Sequence, residues 1–405
     1  MVLGFKFLLL FMIQERYLKT FIQKDLQKKM VFIGGPRQVG KTTLARSIGD
    51  EWYPEYDYLN WDYGNDRTRV LDYTFPASAP LLIFDELHKY RVWKRYLKGI
   101  FDKEKDTRKV LVTGSARLDV YRRGGDSLLG RYYYYRLHPF SAREALGKSA
   151  LTAVNEPLQF LSSGQSERSL LEALFTYGGF PEPFLSQDEE TARRFRADRV
   201  ERLIREDIRD LEQVRDLSGL QVLQHILPQK VGSLFSIQSL QEDLSVAHKT
   251  ASLWVDIFER MYYLFRLQPF SPSLQKSERR QPKVYLWDWA EVIDQAVRFE
   301  NLVASHLLKF VHLLHDASGH KAELFFYRDR EGREVDFVVA IDRVPWFAVE
   351  VKLDDASPSK ALRHVKEKFS IPYAYQVVWG KGVKEATAAD GTLTMSAEKF
   401  LSALV

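Results

Sequence analysis

The sequence predicts an α/β protein, and three stretches carry that expectation. Val31 to Arg46, VFIGGPRQVGKTTLAR, runs from a short apolar strand through a glycine-bearing loop into the start of a helix. Pro80 to Tyr90, PLLIFDELHKY, reads as a buried strand whose apolar run ends in Asp85 and Glu86. Ala322 to Leu353 reads as three strands joined by polar or glycine-containing turns.

Composition bounds the rest. A chain of 405 residues has room for roughly two to four domains. With 45% hydrophobic and 28% charged residues it is globular, not largely disordered. A net charge of +5 is compatible with nucleic acid but too small to argue for it. The lack of cysteine excludes disulfides, thiolate metal sites and a cysteine nucleophile, so any metal must sit on oxygen or histidine. Val2 to Ile13 is a long apolar run, yet only about half of what a membrane-spanning helix needs. It also lacks the basic segment and cleavage site of a secretory leader. The expectation is a cytoplasmic chain with no membrane span. Translation from Met12 in place of Met1 would leave an amphipathic helix, MIQERYLKTFIQKDLQKK, ahead of the first strand; a peripheral anchor is the alternative reading of the run.

Gly35, four residues, then Gly40-Lys41-Thr42 fits the GxxxxGK[ST] phosphate-binding loop in the strand-to-helix context that motif requires. Glycines let main-chain N–H groups close around phosphate oxygens, and the helix N-terminus adds a favourable dipole. ATP contacts would come from Gly35, Pro36, Arg37, Gln38, Val39, Gly40, Lys41, Thr42 and Thr43. Lys41 would reach the β- and γ-phosphates, and the Thr42 hydroxyl would hold Mg²⁺. About forty residues after such a loop, Asp85 and Glu86 form the matching acidic strand end. Asp85 would hold Mg²⁺ through its water shell and Glu86 would polarise the attacking water.

Tyr56 to Trp61 reads as a second strand, and Val110 to Leu118 as another buried one ending in Thr113 and Ser115. Between the loop strand and the Asp-Glu strand, a polar tip can touch both water and γ-phosphate; Ser115 is the choice and Thr113 the runner-up. Arg131 is placed to act on a neighbouring subunit's nucleotide as an arginine finger, in competition with Arg117, Arg122, Arg123 and Arg136.

IGGPRQVGKTTLAR, LLIFDELHK, LVTGSARL and LLGRYYYYRLHPFS together resemble the AAA+ superfamily, in particular prokaryotic predicted ATPases. In that group a C-terminal domain of unknown function resembles restriction endonucleases. YGGFPEPF from Tyr177, IREDIRDL from Ile204 and FENLVASHL from Phe299 extend the likeness over nearly the whole chain. It implies a P-loop AAA+ core with a helical lid over the nucleotide and a C-terminal α/β nuclease-like domain. The expected order is an N-terminal helix over 1–25, the ATPase core over 26–145, the lid over 146–220, a winged helix over 221–289 and the restriction-endonuclease-like domain over 290–405.

The winged-helix expectation comes from Ser236 to Phe270, a short helix, a turn and a longer helix, followed by a β-like return through QKSERRQPKVYLW. Lys249, Thr250 and Ser252 would start the recognition helix, with Lys276, Arg279, Arg280 and Lys283 in the wing. DNA and a protein partner stay open as its target.

Further on, Asp336, Glu350 and Lys352 resemble the D…ExK pattern of PD-(D/E)xK nucleases, with Glu300 as the additional acid. The resemblance implies a second Mg²⁺ or Mn²⁺ on Asp336, Glu350 and Glu300, with Lys352 steadying the attacking water. Val335 stands where a proline is usual. His306, His312, His315 and His320 read as helix-face and loop residues rather than zinc ligands. The function expected is MgATP hydrolysis in a homo-oligomer, coupled to DNA binding or cleavage. The alternative is a nucleotide-dependent switch for DNA or a protein partner, with the nuclease-like domain as scaffold.

Overall fold

The computed structural model describes residues 15–114, 118, 128–147, 152–160, 165–208, 216–272, 280–354, 357–380 and 382–405. Met1, Met12, Ser115, Arg117, Arg122, Arg123, Lys276 and Arg279 lie outside them. The chain divides into a first unit of residues 1–139 with 260–262 and a second of 140–259 with 263–405.

The first unit comprises α1 (Lys19–Leu26), β1 (Met30–Gly34), α2 (Lys41–Trp52), β2 (Asp57–Asn60), α3 (Gly64–Leu71), β3 (Leu81–Asp85), α4 (Trp93–Glu104), β4 (Lys109–Thr113) and β5 (Tyr132–Arg136). Its strands are all parallel, in the order β2-β3-β4-β1-β5. Every residue of β1 and β3 is buried, as a parallel sheet covered on both faces requires. Phe32, Phe84 and Val112 meet the apolar stripe Trp93, Leu97 and Ile100 of α4, spaced i, i+4, i+7. Register aligns Asn60, Asp85, Thr113 and Ile33 in one row across four strands. That row is the carboxyl end of the sheet, where open α/β folds place ligands.

The second unit runs through α5 (Ala142–Ala145), α6 (Gln165–Tyr177), α7 (Pro181–Ser186), α8 (Glu189–Arg202), α9 (Leu217–Ile226), α10 (Ile237–Leu244) and α11 (His248–Arg260), whose last residue falls to the first unit. There follow β6 (Leu264–Pro269), β7 (Lys283–Leu286), α12 (Gln295–Ser318), β8 (Ala322–Arg328), β9 (Glu334–Ile341), β10 (Val344–Lys352), α13 (Lys360–Phe369), β11 (Tyr373–Val378), β12 (Ala386–Thr387), β13 (Leu393–Ser396) and α14 (Ala397–Ser402). The sheet order is β12-β13-β11-β10-β9-β8-β6-β7. The three strands read from Ala322 to Leu353 are the antiparallel β8, β9 and β10.

The sheet crosses residue 290, because β6 pairs in parallel with β8 at Gln268 and Phe325. The return expected as a wing is therefore the outer hairpin of the eight-stranded sheet. Lys283, expected to face phosphate, is instead buried with 2% exposure. Within the YGGFPEP stretch, Gly178 has a φ of +87°, and a Cβ there would lie 2.5 Å from Asp288 Oδ1. Glycine is the residue that fits such a left-handed, crowded helix end. Pro181 then opens α7 at a position where its missing N–H costs nothing.

Candidate nucleotide site and a second acidic cluster

The loop between β1 and α2 is shaped by its backbone. Gly35 has a φ of +139°, and a Cβ there would sit 2.4 Å from the Leu137 carbonyl oxygen. Gly40, with a φ of 98°, is the left-handed residue that caps α2. The first turn of α2 carries no acidic side chain, so its dipole faces the loop uncompensated. Lys41 is buried, and its ammonium donates to the carbonyls of Gly35 at 3.1 Å and Pro36 at 2.6 Å. Arg16 braces the loop from below by donating to the Val39 carbonyl at 2.8 Å and the His138 carbonyl at 2.5 Å.

Asp85 gathers three hydroxyls. Thr42 Oγ1 and Tyr58 OH donate to its Oδ2 at 2.8 and 2.7 Å, and Thr113 Oγ1 donates to Oδ1 at 2.5 Å. Thr113 is thus committed to Asp85. The Tyr58 ring is held in turn by the Arg46 guanidinium, 4.0 Å from its centroid.

Glu86 leaves the strand in a left-handed conformation, φ 58°, while its N–H donates to the Thr113 carbonyl at 3.0 Å. Burial pushes its carboxyl above the ordinary carboxylate range, and the charges of Lys41, Lys89 and Arg37 pull it back down. The buried His88 places Nε2 3.5 Å from Glu86 Oε2. Arg131 Nε and Nη2 donate to Asp102 at 2.8 and 3.3 Å within the same unit.

The oxygens of Thr42 and Asp85 are the hard donors that Mg²⁺ takes, and they stand beside a lysine at a helix N-terminus. Tyr58, Arg16 and His88 were not anticipated. Tyr58 had a signal, since strand alternation in YDYLNW puts Tyr58 and Asn60 on one face. Arg16 had none, because its partners lie 23 and 122 residues away.

The second unit brings together Glu300, Asp336 and Glu350, three acids that are far apart in sequence. Asp336 is half-buried on β9; desolvation and the charges of Glu300 and Glu350 hold its carboxyl well above the usual range, and Oδ2 accepts from Val351 N–H at 2.8 Å. Lys352 Nζ lies 2.8 Å from Glu350 Oε1, while Glu350 Oε2 is buried without a hydrogen-bond partner. Three further groups were not foreseen here. Lys283 Nζ bridges Glu300 at 3.1 Å and Glu334 at 2.6 Å, and Tyr285 OH donates to Glu300 at 2.7 Å.

Among the described residues no group of three or more His, Asp or Glu side chains is set to hold a metal ion. The acids of the second cluster sit within electrostatic reach, yet they do not fit as a ligand set, and a buried ammonium stands among them. His306 is a hydrogen-bonded core residue: Nε2 accepts from Ala142 N–H at 2.9 Å and Nδ1 faces the Leu302 carbonyl at 2.8 Å.

The strand order, the glycine loop and the Asp85 row define the first unit as a P-loop ATPase core of the AAA type. Residues 27–146 match the family described as AAA domain. Residues 168–292 and 298–399 match two domains of unknown function, DUF8612 and DUF4143. The uncharacterized protein Rv2008c of Mycobacterium tuberculosis is 26% identical over 282 residues, covering 68% of this chain but 58% of that relative. The uncharacterized protein MJ1544 of Methanocaldococcus jannaschii is 21% identical over 367 residues, 84% of this chain and 80% of the relative. Among solved structures, the RuvB Holliday junction branch migration motor of Thermotoga maritima aligns at 14% identity over 62% of this chain and 86% of that one. The TM-score of that alignment is 0.27. Among the described residues no helix is long and apolar enough to cross a membrane.

Proposed function

We propose that this chain hydrolyses MgATP at the loop after β1 and couples hydrolysis to handling DNA. The observation that carries the reading is the convergence of Thr42, Tyr58 and Thr113 on the Asp85 carboxylate, beside Lys41 and Glu86. Main-chain N–H groups from Gly35 to Thr43 would cradle the phosphates, and Lys41 would exchange its loop carbonyls for β- and γ-phosphate oxygens. Thr42 and Asp85 would hold Mg²⁺, which when bound supplies charge neutralisation. Glu86 would accept a proton from the water whose oxygen bonds to the γ-phosphorus, and ADP would depart with the β,γ-bridging oxygen as its bond to the γ-phosphorus breaks. Ser115 would contact the γ-phosphate, and Arg131, released from Asp102, would act in trans in a homo-oligomer. The site of action would be the cytoplasm.

In the same reading residues 146–220 would form the lid, and α10 and α11 would be the helix pair of a DNA- or partner-binding module over 221–289, without the β6–β7 hairpin as its wing. Lys249, exposed in the first turn of α11, would lead contacts to DNA or to a protein partner, with Thr250 and Ser252 behind it. Residues 290–405 would be the restriction-endonuclease-like part, with Asp336, Glu350 and Glu300 as its acids and Lys352 beside them.

A second reading, a nucleotide-dependent switch with a scaffold C-terminal domain, is favoured by the Lys283 ammonium among those acids. Phosphate release from ATP with Mg²⁺ tests the first reading. Glu86→Gln and Lys41→Ala should each lower it by about a hundredfold or more, and unchanged rates would overturn the assignment. Plasmid cleavage with Mn²⁺ that Asp336→Ala abolishes would restore the nuclease reading over the scaffold.

A further inference from the structure

An open cleft of about 450 Å³ lies on the first unit between α4 and the segment after α3, lined by Tyr73, Tyr90, Tyr96, Arg95, Gly99 and Lys103. Its volume is in the range of small-ligand sites, roughly 300–1,000 Å³. The ATPase site uses none of these residues.

The three tyrosines are half-buried in the wall of the cleft, and the hydroxyls of two are already used. Tyr73 OH donates to Glu104 at 3.0 Å and Tyr96 OH to the Val70 carbonyl at 2.7 Å. Tyr73 is held with a φ of 57°, an uncommon backbone state for a bulky residue. Tyr90 already stacks on Trp61, with centroids 4.7 Å apart and planes at 22°. Tyr96 meets the rings of both Tyr73 and Tyr90 edge-on.

Cations surround this aromatic floor. Between residues 89 and 108 the sequence carries eight Lys or Arg against three Asp or Glu, a surplus of five, as large as that of the whole chain. Among the described residues Arg91 and Arg95 are exposed and make no ion pair, and Lys103 lies 5.3 Å from the Tyr73 ring centroid. The first turn of α4 holds Lys94 and Arg95 and no acid, an arrangement that opposes the helix dipole. Charge kept where it costs helix stability calls for an anionic partner.

We propose that this cleft binds single-stranded nucleic acid, one or two bases stacking on the tyrosine rings while Arg91, Arg95 and Lys103 neutralise the flanking phosphates. Rings with satisfied hydroxyls give stacking without base readout, the property of sequence-tolerant strand binding. The proposal stands on the first unit's surface and needs neither ATP hydrolysis nor the second acidic cluster.

Gly99 supplies a test that leaves the fold intact. A Cβ there meets nothing within 4 Å, so Gly99→Leu fills the cleft without a clash and improves the helix. Fluorescence anisotropy of a labelled oligothymidylate of about 16 nucleotides should show salt-sensitive binding by the full chain. Gly99→Leu and Arg95→Glu should each weaken it roughly tenfold or more, with basal ATP hydrolysis unchanged. Lack of binding at low salt would overturn the proposal, as would binding that neither variant weakens. So would equal weakening of a blunt duplex, or a tryptophan-bearing peptide taking the cleft while the oligonucleotide ignores Gly99→Leu. Hydrolysis measured on the same samples keeps failure here distinct from failure of the ATPase reading.

Discussion

Thr42 Oγ1 donates to Asp85 Oδ2 at 2.8 Å, tying the phosphate loop to a strand end two strands away in the sheet. Thr42→Ala removes that donor but leaves Asp85 with Tyr58 and Thr113, so the fold should be kept. Steady-state phosphate release should fall about a hundredfold, the scale of a misplaced catalytic group, while Thr42→Ser retains most of it.

His88 packs between the acidic strand end and β4. Its Nε2 is 3.5 Å from Glu86 Oε2, and a Cβ on Gly114 would lie 2.7 Å from its Nδ1. His88 is therefore a positioning residue for Glu86. His88→Ala should lower kcat roughly tenfold with KM little changed, the pattern of a group that acts in the transition state. Gly114→Ala should do the same by displacing the ring, and the double variant should lose less than the two effects added.

Lys283 is the internal counter-ion of the second acidic cluster. Lys283→Met leaves Glu300 and Glu334 facing Asp336 without compensation and should cost about 3–5 kcal/mol in urea unfolding. Adding Glu300→Gln should recover part of that loss. Recovery by millimolar Mn²⁺ would support a metal role for the acids, and none would favour the scaffold reading.

His306 sets an acid limit on stability. Burial drops its pKa to about 3, whereas in the unfolded chain it titrates near 6.5. A base with a depressed folded pKa contributes its full stability above the unfolded value and loses it as pH falls. The loss should run from about pH 6.5 toward pH 3 at about 1.4 kcal/mol per unit. His306→Gln should be less stable near neutrality, through the altered Ala142 bond, yet flatter across that window in urea titrations at several pH values.

Local order along the chain carried the ATPase core because its signals are local. Glycine spacing, an apolar run ending in two acids, and strand-length periods depend on backbone sterics within a dozen residues. The loop, Asp85 and Glu86 were legible on that ground, as were β8, β9 and β10. What needed the tertiary structure is each contact whose partner is distant in sequence. Strand pairing decided that Tyr58 and Thr113 share Asp85, since only the β2-β3-β4 register puts them in reach. Pairing of β6 with β8 drew Lys283 into the interior, where burial turned a presumed phosphate contact into a counter-ion for Glu300 and Glu334. The cleft at α4 belongs to the same class: its tyrosines are unremarkable aromatic residues in sequence, and only folding set their rings beside Arg95 and Lys103.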